Sequence, residues 1–153
     1  MGIMIPGKNE NGIALSHPFG ICITMRKTVY IADWENHRIM KWKRDANEGI
    51  LVAGGNGYGN HLQQLCFPEG VVVDYLGHIY IADYGNDRVV RWCEGDKCGS
   101  IVIGNSGLER ESYLLKHPCG LSLDIDNNLY VVNQVNNRIQ KYEIDRDELN
   151  YIS

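Results

Sequence analysis

Asp33, Asn36 and Arg38 put a carboxylate, a carboxamide and a guanidinium within six residues of one another. A carboxylate beside a guanidinium can poise a base, orient a substrate, or hold a turn through charge-assisted hydrogen bonds. The set recurs as Asp83, Asn86 and Arg88, and again as Asn133, Asn136 and Arg138, each copy 50 residues after the last. A catalytic centre needs one special copy, whereas packing needs are shared by every unit of a repeat. The three sets are therefore structural. Aspartate and arginine face each other across the base of a tight hairpin, and the asparagine takes the left-handed turn position, which it tolerates. All three arginines are expected to be buried and paired. In the third unit Asn133 must replace the ion pair with a neutral hydrogen bond.

The other reactive side chains are scattered. His17, His37, His61, His78 and His117 show neither His-x-x-x-His nor His-x-Glu spacing, so the chain offers no local metal motif. Gly-x-Ser-x-Gly, P-loop and Cys-x-x-Cys patterns are missing too. Asn56-Gly57-Tyr58-Gly59 is glycine-rich, but no helical pattern follows it to cradle a phosphate. No catalytic residue, metal or cofactor is predicted. Of the five cysteines, Cys22, Cys66 and Cys119 fall in or beside apolar stretches as small core residues. Cys93 and Cys98 bracket Glu94-Gly95-Asp96-Lys97, a hairpin turn across which a disulfide is geometrically allowed.

The elements that position these residues follow from the 50-residue period, which runs without slip from Leu15 to Tyr142. A period of roughly 20–50 residues signals a solenoid, propeller or array. Each unit holds four short β-branched and aromatic runs, for example 21–24, 29–32, 38–42 and 50–52, separated by Gly, Asn and Asp. The connections are too short for helices, which leaves antiparallel meanders. The first two strands are apolar on nearly every residue and so buried on both faces. The third alternates, with Arg38, Met40 and Trp42 on one face and Ile39 and Lys41 on the other. A sheet buried near one edge and polar toward the other is a propeller blade. The fold is all-β, a single segment of three four-stranded blades at residues 17–53, 67–103 and 117–153. Leu15, Leu65 and Leu115 anchor the links between them. Residues 2–6 read as the outer strand of a preceding blade. Three blades fall short of the roughly four to eight that close a ring, so the chain is expected to be half of a two-chain, six-bladed ring or part of a longer protein.

Composition narrows the partners. A net charge of −4 and a pI near 5.7 disfavour RNA and favour protein. No apolar run approaches the roughly 20 residues that span a bilayer, and nothing in the sequence fixes a compartment.

Pro-x-Gly-Ile, Val-Tyr-Ile-Ala-Asp and Asn36-His37-Arg38-Ile39, three times in phase over residues 15–142, resemble the NHL repeat. That resemblance implies a six-bladed propeller that binds protein or RNA on one face, usually without catalysis. A related branch, the peptidylglycine-amidating lyases, carries metal-ligating histidines just after the blade-opening proline. The matching positions here are Phe19, Glu69 and Cys119, which argues against a lyase. A metal-dependent lyase or hydrolase on the same propeller is the alternative, and metal analysis would separate the two.

Within the hairpin loops, Asn36 and Arg38 and their copies are fixed while their neighbours vary. Trp34, Glu35 and His37, then Tyr84 and Asp87, then Gln134 and Asn137, together with Tyr58 of the first link, form the candidate partner-binding rim. Aromatic residues of this kind anchor interfaces. Neither Trp34 nor Tyr84 is assigned to the core.

Overall fold

The structure, a computed structural model, describes residues 4, 5, 7, 11–104 and 114–144. Within them β1 (Pro18–Ile23), β2 (Val29–Asp33), β3 (Arg38–Trp42) and β4 (Ile50–Gly54) form the first antiparallel sheet. The second comprises β5 (Pro68–Val73), β6 (Ile79–Asp83), β7 (Arg88–Trp92) and β8 (Ser100–Ile103). The third has β9 (Pro118–Leu123), β10 (Leu129–Asn133) and β11 (Arg138–Tyr142). Its expected fourth strand, near residues 151–152, lies outside the described residues. So do residues 2–6, apart from Met4 and Ile5, which are exposed and in no strand.

Local chemistry explains the turns. Between the first two strands of a unit the chain reverses through a left-handed residue: Lys27, Gly77 or Asn127. Asp74 and Asp124 tie that reversal down, each carboxylate accepting from the N–H two and four residues ahead. Between the second and third strands, Asp33 pairs with Arg38, Asp83 with Arg88 and Asn133 with Arg138 in register. At the end of β4 Gly54 turns at φ +70°, and a Cβ there would press on the His37 carbonyl.

Blades stack face to face. Tyr30, Ala32 and Ile39 of the first blade meet Val71, Ile79, Ile81, Val90 and Trp92 of the second in one core. A second core joins Tyr80 and Val89 to Leu129 and Val131 of the third blade. Leu65 and Leu115 are buried beneath the links as expected, and Leu15 packs beside Met40 and Trp42.

Two expectations about burial fail. All of β3 is buried, Lys41 included, although its alternation suggested a solvent face. The next blade covers that face and meets the charge, with Lys41 Nζ 2.6 Å from Glu94 Oε2 and above the Tyr30 ring. Conversely β1, expected to be buried on both faces, leaves Ile21 and Ile23 63% exposed. They lie on the face turned away from the second blade, where Ile31, Met40 and Trp42 are nonetheless buried beside Leu15. The loop bearing Cys93 and Cys98 holds free thiols. Its turn closes early, the Asp96 N–H donating to the Cys93 carbonyl, and folds over Trp92, so the two cysteines do not pair across a ladder.

Candidate interaction rim

Each hairpin base carries the polar set that the repeat announced. Asp33 Oδ2 accepts from Arg38 Nε at 2.6 Å and Asn36 Nδ2 at 3.0 Å, while Oδ1 takes the Ser16 N–H at 2.7 Å. Asp83 repeats this with Arg88, Asn86 and the Cys66 N–H. Burial pushes the Asp83 carboxyl up, against the three donors that hold it charged. The arginine and asparagine also reach back to link carbonyls, Arg38 and Asn36 to Ala14, Arg88 to Asn60 and Gln64, Asn86 to Gly59. The set therefore clamps the incoming link to the hairpin.

The third copy departs from the expectation. Arg138 is exposed, whereas Arg38 and Arg88 are buried. Asn133 has no charge to draw a guanidinium inward, and its amide donates to the Leu114 carbonyl and to Gln140 instead. The asparagine expectation also fails. His37, Asp87 and Asn137 take the left-handed conformation, at φ 50°, 53° and 51°, while Asn36 and Asn86 end short 3-10 turns. Their side chains are needed for the clamp, and the turn passes to the next residue.

That next residue has a task of its own. His37 Nδ1 accepts the Phe67 N–H at 3.1 Å, and Asp87 Oδ1 accepts the His117 N–H at 2.8 Å. Each ties its hairpin to the opening of the following blade, and Asp87 also pairs with Lys116. Burial lowers the His37 pKa, so the folded chain binds fewer protons there than the unfolded one. Stability from this group is complete above the ordinary histidine pKa and is lost as pH falls from there through the lowered value of the folded chain. Protonation would also remove the acceptor. We expect His37→Asn, which keeps an acceptor without titrating, to flatten the fall in melting temperature between about pH 7.5 and 5.5 by about 2–4 °C, the effect of one hydrogen bond in a domain this size. Equal slopes for both proteins in thermal melts would remove His37 from the junction.

Around these junctions the rim is aromatic. The Trp34 ring lies 4.3 Å from Phe67 and 6.0 Å from Phe19, and His37 bridges Phe67 at 4.5 Å to Tyr58 at 5.5 Å. Tyr84 stacks on His117 at 4.3 Å. Glu35 accepts from His17 and from the Ser16 hydroxyl, and those bonds hold its carboxyl below the usual range. Trp34 is half-buried, its ring against Phe67 of the next blade. Tyr58 is 71% exposed. Gln134 and Asn137 are exposed on the third blade, apart from the aromatic cluster. At the blade openings, Phe19, Glu69 and Cys119 sit where the first strands of successive blades converge. Burial raises Glu69, opposed by Trp34 and His117, and burial raises Cys119 with Glu69 beside it. Among the described residues no group of three or more His, Cys, Asp or Glu side chains is arranged to hold a metal.

The stretch that contains the middle clamp, residues 65–92, matches the NHL repeat. The chain carries an NHL repeat. The blades before and after the match place similar residue types at most of the same strand positions, with Asn133 at the aspartate position of the third. A structural-genomics protein of unknown function from Bacteroides thetaiotaomicron superposes with a TM-score of 0.68 over 90% of this chain and 38% of its own, at 18% identity. An auxiliary nutrient binding protein from the same organism gives 0.61 over 80% of this chain and 37% of its own, at 16% identity. A gluconolactonase from Xanthomonas campestris gives 0.60 over 84% and 37%, at 15% identity. These similarities establish a propeller fold, and the chain spans under two-fifths of each protein. The last two differ in role by name, one a binding protein and one an enzyme. No curated protein matches the sequence.

Proposed function

We propose that the chain works without catalysis, as a protein-interaction module whose docking surface is the rim bearing Trp34 and Tyr58. The observation that carries this is the aromatic run from Phe19 through Trp34, Phe67 and His37 to Tyr58, which crosses two blades at one end of the sheets. Phe19 and Tyr58 are 60% and 71% exposed at its two ends. Rigid aromatic rings offer large contact area at low entropic cost, and they dominate interface energetics. Glu35, next to Trp34 in the chain, borders the run with acidic charge, so a partner with basic residues around an apolar centre fits best. The test is a pull-down from whole extract, comparing wild type with Trp34→Ala/Tyr58→Ala. Since Trp34 touches Phe67, the variant should melt lower yet remain folded at the assay temperature. Partners held by wild type should be lost. Recovery of the same partners in the same amounts would move the binding face elsewhere.

A further inference from the structure

The ladder between the first two strands of each blade slips just after the opening proline, between Pro18 and Ile21, between Pro68 and Gly70, and between Pro118 and Leu121. Bulges of this kind re-aim a side chain, and they collect next to functional sites. In the second blade the residue left out of the pairing is Glu69. Phe19 and Cys119 hold the same position in the blades on either side and bring no charge, one an aromatic ring, the other a thiol that burial keeps protonated.

Glu69 is the odd carboxylate among the described residues. Asp33 and Asp83 hold their arginines, Asp74 holds His78, and Asp87 holds Lys116. Asp124 is tied to Asn128 and Tyr130. Glu69 is half-buried too, yet among the described residues it has no ion pair and no well-formed hydrogen bond. The donor beside it is the Trp34 indole N–H, itself buried without a partner in good geometry. An acceptor withdrawn from water and left open costs stability, and so calls for an explanation.

Its surroundings say what would fill it. On the side of the first blade stand Trp34 and the 60% exposed Phe19, their ring centroids 6.0 Å apart. His117, stacked on Tyr84, stands on the other side. An anion set among rings, with one imperfect donor, suits a cation carried on a long apolar stem. Arginine fits better than lysine, because its planar fork engages both carboxylate oxygens at once while its methylenes cover apolar rings. We propose that Glu69 anchors an arginine side chain of the docking protein, the guanidinium bonded to both carboxylate oxygens and the aliphatic stem laid along Phe19 and Trp34. This rests on the rim of Trp34 being the docking surface, and it names the residue type that the rim reads.

Titration with acetyl-Gly-Arg-Gly amide tests the contact, followed by heteronuclear NMR of the Trp34 indole N–H, which is identified by its loss in Trp34→Phe. The arginine peptide should shift that signal saturably. The same peptide with citrulline, which keeps the shape and loses the charge, should bind about tenfold more weakly or worse, as loss of charge-assisted hydrogen bonds dictates. The lysine peptide should also bind more weakly than the arginine one. Glu69→Gln should melt no lower than wild type, since no described residue pairs with its charge, and should bind the arginine peptide no better than the citrulline one. The contact is overturned by a Trp34 signal that never moves, by either analogue matching arginine on wild type, or by a Glu69→Gln chain that still prefers arginine. The analogue comparison on wild type needs no variant to fold. Running Glu69→Gln in the pull-down beside Trp34→Ala/Tyr58→Ala separates the two readings. Partners lost from the double variant but kept by Glu69→Gln leave the rim standing and overturn the arginine anchor, whereas partners kept by the double variant remove the rim itself.

Discussion

Arg88→Ala should lower stability by about 3–5 kcal/mol, the cost of leaving a buried partner charge unpaired, while Arg138→Ala should fall within about 0.5 kcal/mol of wild type, as surface changes do. Arg88 is 1% exposed and Asp83 0%. Its guanidinium supplies the Nε bond to Asp83 at 2.7 Å and further bonds to the Asn60 and Gln64 carbonyls at 2.8 and 3.1 Å. Truncation strands a carboxylate away from water and releases the link in one step. In a domain of this size each kcal/mol moves the melting temperature by roughly 2–4 °C, so a shift of about 10 °C is expected. The third blade suggests the repair, because there asparagine occupies the aspartate position without a buried arginine. Asp83→Asn added to Arg88→Ala should therefore regain part of the loss. Equal melting temperatures for the two single arginine variants would contradict the buried clamp.

Gly70→Ala is the second large effect. A Cβ at residue 70 would press into the Cys119 carbonyl oxygen of the adjoining strand, with Ala82 Cβ 3.3 Å away on the other side. The obstacle is strand backbone of the next blade, not a side chain that can swing aside. Overpacking costs about 1–3 kcal/mol and occasionally more, and this position belongs at or above the upper end. At Gly120 the nearest atom is Cγ2 of Val132 at 2.9 Å, a side chain on a partly open face, so Gly120→Ala should cost much less. Chemical denaturation of the two variants compares them directly. If Gly120→Ala is the costlier, close approach is not what the glycine serves.

The period, the turn residues and the strand runs made the blades legible from sequence, because hydrogen bonding along a blade is local and its signals lie within a few residues. Contacts between blades are separated by about 30 to 50 residues, and there the reading faltered. Lys41 looked solvent-facing because its partner Glu94 belongs to the next unit. His37, Asp87 and Asn137 looked like free variation, and the common property was overlooked: all three can accept a hydrogen bond. Arg138 was grouped with its counterparts although Asn133 had already removed the charge that would draw it inward. Trp34 was placed on an open rim, yet the phenyl ring that half-buries it comes from Phe67, at the opening of the next blade.

The acceptor after each clamp has a consequence for how such a chain can be recombined. It is encoded in one blade and spent on the first amide of the next, so the physical module is out of phase with the sequence repeat. A duplication cut at the blade-opening proline would carry the acceptor away from the amide it was matched to, yet the new neighbour would still present an equivalent N–H. Only a lone pair is demanded, and His, Asp and Asn all supply one. The joints are thereby interchangeable in kind while each keeps its own chemistry: His37 titrates, Asp87 carries a charge that also recruits Lys116, and Asn137 does neither. Units can be copied, reordered and then tuned one joint at a time without rebuilding the sheets on either side.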